Sequence, residues 1–63
     1  MVTADEERWA EALVVERLHG DRFDDHVAER IATLVQAGDE AGVARWRDIA
    51  ARLGQLMRQK TLQ

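Results

Sequence analysis

Ala37-Gly38-Asp39-Glu40-Ala41-Gly42-Val43-Ala44-Arg45-Trp46 is the stretch on which the fold turns. Glycine just past a helix end supplies the left-handed C′ conformation, and an aspartate directly after it caps the helix that follows. Asp39 also places negative charge at the positive end of that helix. The same punctuation occurs once before, at His19-Gly20-Asp21. Two such junctions divide the chain into three helices, joined by turns too short for anything but close neighbours. The segments they delimit do not match well enough to form a repeat.

C-terminal to the second junction, the spacing predicts a helix over about 40–60. Val43, Trp46, Ile49, Ala50, Leu53, Leu56 and Met57 form its apolar stripe, opposite Arg45, Asp48, Arg52, Gln55, Arg58 and Gln59. Gly42 falls on the apolar side, where a missing side chain lets another helix approach, and the last residues from Thr61 to Gln63 are expected to fray. Between the junctions a helix is predicted over about 22–37, with Phe23, Val27, Ile31, Leu34 and Val35 on one face. The first helix is predicted over about 4–19, opened by Thr3 and Glu6 in a capping-box spacing.

That first helix has too much apolar surface. Trp9 and Leu13 are expected to point inward, with Ala12, Val15 and His19 on one flank and Ala10, Val14 and Leu18 on the other. Two neighbours cover such flanks in part, so Val14 and Leu18, bordering Arg17, are expected to stay exposed. An exposed apolar patch on a small protein marks a partner site more often than an accident.

Composition narrows the remaining possibilities. Sixty-three residues make one domain spanning 1–63, which buries only about 60% of its unfolded surface. Cysteine is absent, which excludes disulfides and thiolate metal sites; serine and tyrosine are absent too, removing the usual hydroxyl nucleophile. Asp5, Glu6 and Glu7 stand where a secretory leader would carry basic residues, and no apolar run approaches the roughly 18 residues of a spanning helix. A cytoplasmic protein that does not enter membranes is expected. Eight arginines against one lysine, with ten alanines, suggest a GC-rich bacterial or phage genome. Net charge is −3, but residues 39–63 carry five basic and three acidic side chains while residues 1–20 carry five acids and two arginines. Acidic front and basic back are expected to attract each other across the packed helices.

Three kinds of chemistry can be weighed against these patterns. His19, Asp21, Asp24, Asp25 and His26 cluster at the first junction, but histidines seven apart across a turn match no closed metal-site spacing. Capping and first-turn roles are expected for the aspartates, with His19 at the C-terminal end of its helix, and no metal, cofactor or small molecule. Paired carboxylates need a pocket that separates their pKa values, and three short helices are expected to leave none of ligand size, so no enzyme is expected. Arg45, Arg52 and Arg58 form a basic face that could track phosphates, although nucleic acid is not the expected partner of an acidic chain. Conversely, Asp5, Glu6, Glu7, Glu11, Asp24 and Asp25 could present an acidic surface to a basic groove.

Trp9-Ala10-x-Ala12, His19-Gly20-Asp21, Ala37-Gly38-Asp39-x-x-Gly42-x-x-x-Trp46-x-x-Ile49 and Leu53-x-x-Leu56 together resemble a family of short, uncharacterised helical proteins of alphaproteobacteria, a domain of unknown function. The resemblance spans about residues 9–56, with the Ala-Gly-Asp to Trp46 stretch its most specific part. It implies a helical fold and carries over no activity, cofactor or site. In size and charge the chain is also similar to inhibitors of bacterial defence from phages and mobile elements, such as anti-CRISPR proteins.

The expected fold is therefore all-α, a compact three-helix bundle with two short Gly-Asp turns around Trp9, Leu13, Phe23, Val27, Ile31, Leu34, Trp46, Ile49 and Leu53. The expected function is a non-catalytic protein-binding module, with self-association as one form of it, through Glu11, Val14, Val15, Arg17 and Leu18 of helix one. The alternatives are an acidic inhibitor of a nucleic-acid-handling complex and weak nucleic-acid binding through the helix-three arginines.

Overall fold

The structure, a computed structural model, describes residues 2–61. It is all-helical, with no strand among the described residues. Thr3 opens the first helix, α1 (Ala4–His19), from an extended backbone (φ −83°, ψ 163°), and its hydroxyl oxygen accepts the Glu6 N–H at 3.1 Å. Asp5, Glu6 and Glu7 occupy the first turn and Arg17 and His19 the last, matching charge to the helix dipole at both ends.

The first junction is tighter than a capped loop. Gly20 takes φ 54° and its N–H returns to the Glu16 carbonyl, but Gly20–Arg22 then tighten into a 3-10 turn that runs straight into α2 (Phe23–Gln36). Arg22, not Asp21, occupies the N-cap position of α2, and it makes no side-chain capping bond. The left-handed glycine is present as expected, but a 3-10 turn stands in place of the expected aspartate cap. Counting the 3-10 turn, helical residues follow one another without a gap over 4–36 and again over 40–61, so the expected division into three helices is not distinct at the first junction.

The second junction follows the local rules. Gly38 adopts φ 73°, its N–H bonds the Val35 carbonyl (3.1 Å), and the Asp39 N–H bonds the Leu34 carbonyl (2.9 Å). These are the two bonds of a Schellman ending. Asp39 then caps α3 (Glu40–Thr61), its Oδ1 accepting the Gly42 N–H at 2.9 Å. Thr61 still belongs to α3; the rest of the segment expected to fray, Leu62 and Gln63, lies outside the described residues.

Gly42 explains itself sterically. A Cβ there would lie 2.6 Å from Asp39 Oδ2 and 3.1 Å from Leu34 Cδ2. Its missing side chain makes room both for the capping carboxylate and for α2.

α3 is the shared partner: α1 and α2 both pack on it, and touch each other much less. Ala12 and Val15 of α1, Phe23 and Val27 of α2, and Ile49 and Leu53 of α3 form the buried core. Ile31, Trp46, Ala50, Leu56 and Met57 pack around it half-buried. Phe23, Val27, Ile49 and Leu53 stand where the sequence pattern put them. Leu13 does not: it is 52% exposed, while Ala12 beside it is fully buried. The small Ala12 side chain lets α1 approach α3 closely, and a helix packed on one neighbour buries one stripe, not two.

The molecule measures 39 × 31 × 17 Å along its principal axes, its shortest dimension matching two packed helices. Its radius of gyration, 12.1 Å, exceeds the roughly 11 Å expected of a compact 63-residue domain.

Candidate functional site

The side of α1 turned away from α3 carries Glu6, Glu7, Ala10, Leu13, Val14, Arg17 and Leu18, all exposed. Leu13, Val14 and Leu18 are 52%, 54% and 72% exposed, forming an apolar band over two helical turns. Leu13, Val14, Glu16 and Arg17 line a shallow, open depression of about 360 Å³ on this face. Of the interface residues expected from sequence, Val14, Arg17 and Leu18 lie on the band. Val15 does not, being a buried core residue, since helical spacing turns it almost opposite Ala10.

Glu11 is withdrawn from the band by two arginines. Arg45 donates from Nε to Glu11 Oε2 at 2.8 Å and again from Nη2 to the same oxygen, and Arg8 Nη1 donates to Oε1 at 2.7 Å. Burial alone would raise the Glu11 carboxyl, but the hydrogen bonds and charges of Arg45 and Arg8 outweigh it and hold the group below its ordinary value. Two more acids bridge α1 to α3: Asp5 pairs with Arg52, and Glu16 with Lys60 at 3.2 Å. Glu11 leaves one flank of α1 toward the start of α3, and Asp5 and Glu16 leave the other toward its later turns. α1 therefore lies across α3, held on both flanks. Attraction between acidic front and basic back is realised in these pairs.

The same pairs occupy much of the two charged surfaces weighed from sequence. Asp5 and Glu11 are engaged, leaving Glu6, Glu7, Asp24 and Asp25 as exposed members of the acidic set. Arg45 is committed to Glu11. Arg52 lies over the Trp9 ring (5.7 Å to its centroid), donates to the Asp48 carbonyl at 3.0 Å, and is half-buried rather than solvated. Arg58 is exposed. The expected phosphate-tracking row is thus interrupted at two of its three positions.

At the first junction the 3-10 turn brings His19 and His26 face to face, with centroids 3.9 Å apart and planes 16° from parallel. His26 meets the Trp46 ring edge-on at 5.6 Å, and Arg30 covers that ring at 5.6 Å. This row was not read from the sequence. Spacing in sequence does not give the geometry of the tight turn at Gly20, and it is that turn which sets the two rings against each other. Asp21, Asp24 and Asp25 stay exposed, and no group of three or more His, Cys, Asp or Glu gathers as a metal would require among the described residues.

A second open depression, also about 360 Å³, lies beside the second junction between Val35, Gly38, Asp39, Val43 and Arg47. Depressions of ligand size therefore do exist, contrary to the expectation from chain length, but both open broadly to solvent. Asp39, on the wall of this groove, is committed to capping α3. No helix among the described residues is long and apolar enough to cross a membrane.

A model of a family of unknown function, DUF6961, matches residues 4–61, from the first residue of α1 to the last of α3. The chain belongs to that family. The family match takes in both junctions, the ion pairs and the exposed band of α1 alike. No curated protein and no solved structure matches the chain.

Proposed function

We propose that the chain is a small, non-catalytic protein-binding module that engages its partner through the outward band of α1. The exposure of Leu13, Val14 and Leu18 together on one helix face carries this reading. Apolar side chains in contact, rimmed by Glu6, Glu7 and Arg17, give affinity at the centre and selectivity at the edge. In this reading the protein works as a three-helix bundle whose third helix is a platform, leaving the far side of the first free for recognition. The total surface supports it: 4819 Å² is exposed, against roughly 4,100 Å² for a compact chain of this mass.

The test is capture from a lysate that also contains the untagged chain, with wild type and a Leu13→Glu/Leu18→Glu variant as baits. Both side chains are exposed, so the variant is expected to keep its helicity. Wild type should retain a stoichiometric partner at high salt, and the variant should lose at least tenfold of it. Identical capture by both baits, or capture that disappears with salt, would exclude the band and point to the exposed charges instead.

A further inference from the structure

We infer that the partner of this band is a second copy of the chain, with the two α1 helices laid antiparallel; the inference rests on the protein-binding reading above. The band is asymmetric in charge. Glu7 stands at its N-terminal end and Arg17 at its C-terminal end, five residues either side of Ala12. Ala10 and Val14 stand two residues either side of the same point. Glu7, Ala10, Val14 and Arg17 share one face of α1 by helical spacing, and all four are exposed.

A two-fold axis at the level of Ala12 but on the opposite, exposed side of the helix, between Ala10 and Val14, therefore sets Glu7 of each copy against Arg17 of the other, and Ala10 against Val14, twice over. A parallel pairing would instead place Glu7 on Glu7 and Arg17 on Arg17. The small side chain of Ala10 gives Val14 of the opposing helix a place to enter, with Leu13 and Leu18 on either flank. An isologous contact of this kind closes on itself and yields a dimer rather than a fibre. Glu7 and Arg17 lie only about 15 Å apart along the axis, so the contact is at the small, transient end of protein interfaces.

Sedimentation across a concentration series from micromolar to millimolar tests this, using the full chain. Wild type should form a dimer. Arg17→Glu and Glu7→Arg should each weaken it at least tenfold, and an equimolar mixture of the two variants should recover wild-type association. Because the chain contains no cysteine, Ala10→Cys and Val14→Cys variants can be mixed and oxidised without background. Crosslinks joining position 10 to position 14 should dominate. A wild-type chain monomeric throughout, or crosslinks dominated by 10–10 and 14–14 pairs, would overturn the inference. The capture experiment would still decide separately whether the band serves another protein.

Discussion

His26 is enclosed by groups that all bear on its proton. Its ring lies against His19 from α1, against the edge of Trp46 from α3, and near Arg30 and Glu29 of its own helix. Burial lowers its pKa most, the charges of His19 and Arg30 lower it further, and Glu29 opposes them. A base whose folded pKa lies below its unfolded value of about 6.5 binds fewer protons when folded. Stability is then fully present above that value and is lost as pH falls from it toward the lowered folded value. The urea midpoint should therefore drop between pH 7 and pH 5, accompanied by a change in Trp46 emission. His26→Gln should flatten that step, and an unchanged step would assign it elsewhere. Glu11 acts in a separate window, because its depressed carboxyl contributes stability that disappears only as pH falls below about 4.5. Glu11→Gln should cost about 1 kcal/mol at pH 7, given a partly exposed pair, and progressively less as pH falls below about 4.5 toward the lowered folded value.

At the scale of the helices, two glycines of α3 should respond in opposite ways to the same change. Alanine is favoured over glycine in a helix by about 1 kcal/mol. At Gly54 a Cβ would meet Arg58 Nη1 at 3.8 Å, an ordinary contact, so Gly54→Ala should raise stability by up to about that amount. At Gly42 the Cβ would press into the Asp39 cap and Leu34, so Gly42→Ala should cost about 1–3 kcal/mol despite its better propensity. Chemical denaturation of the two variants reads both signs directly. The contrast also marks what the sequence can and cannot disclose. Ala37-Gly38-Asp39 was legible because cap, left-handed glycine and Schellman bonds are all made within a few residues. His19-Gly20-Asp21 looks the same locally, yet there the chain tightens to a 3-10 turn and continues, bringing His19 onto His26 and the α2 apolar face onto α3. The rotation of α1 was illegible for a related reason. Apolar residues surround most of that helix, so hydrophobic pattern alone leaves open whether Leu13 or Ala12 faces inward. Arg45, Arg52 and Lys60, all on α3, select the face by pairing with Glu11, Asp5 and Glu16, and those partners are distant in sequence.

For the whole molecule, the packing leaves roughly 700 Å² more surface than a compact chain of the same mass would show. A domain this small has little stability in reserve, so covering that surface should register in its melting behaviour. If two copies associate when folded and separate when unfolded, mass action ties the melting temperature to protein concentration. Above the dissociation constant, each tenfold rise should stabilise the dimer by about 1.4 kcal/mol, shared between two chains. For a domain of about 60 residues this amounts to a rise of about 3–5 °C per decade. Leu18→Glu should abolish the dependence while leaving the dilute melting temperature nearly unchanged, because Leu18 is 72% exposed and contributes little to the core of its own chain. Leu53→Ala, removing a fully buried side chain from α3, should do the reverse: a cost of about 2–5 kcal/mol at every concentration. Calorimetric scans of the three proteins over a thousandfold concentration range distinguish the two roles. A wild-type melting temperature independent of concentration would mean that the band of α1 is not covered by its own copy.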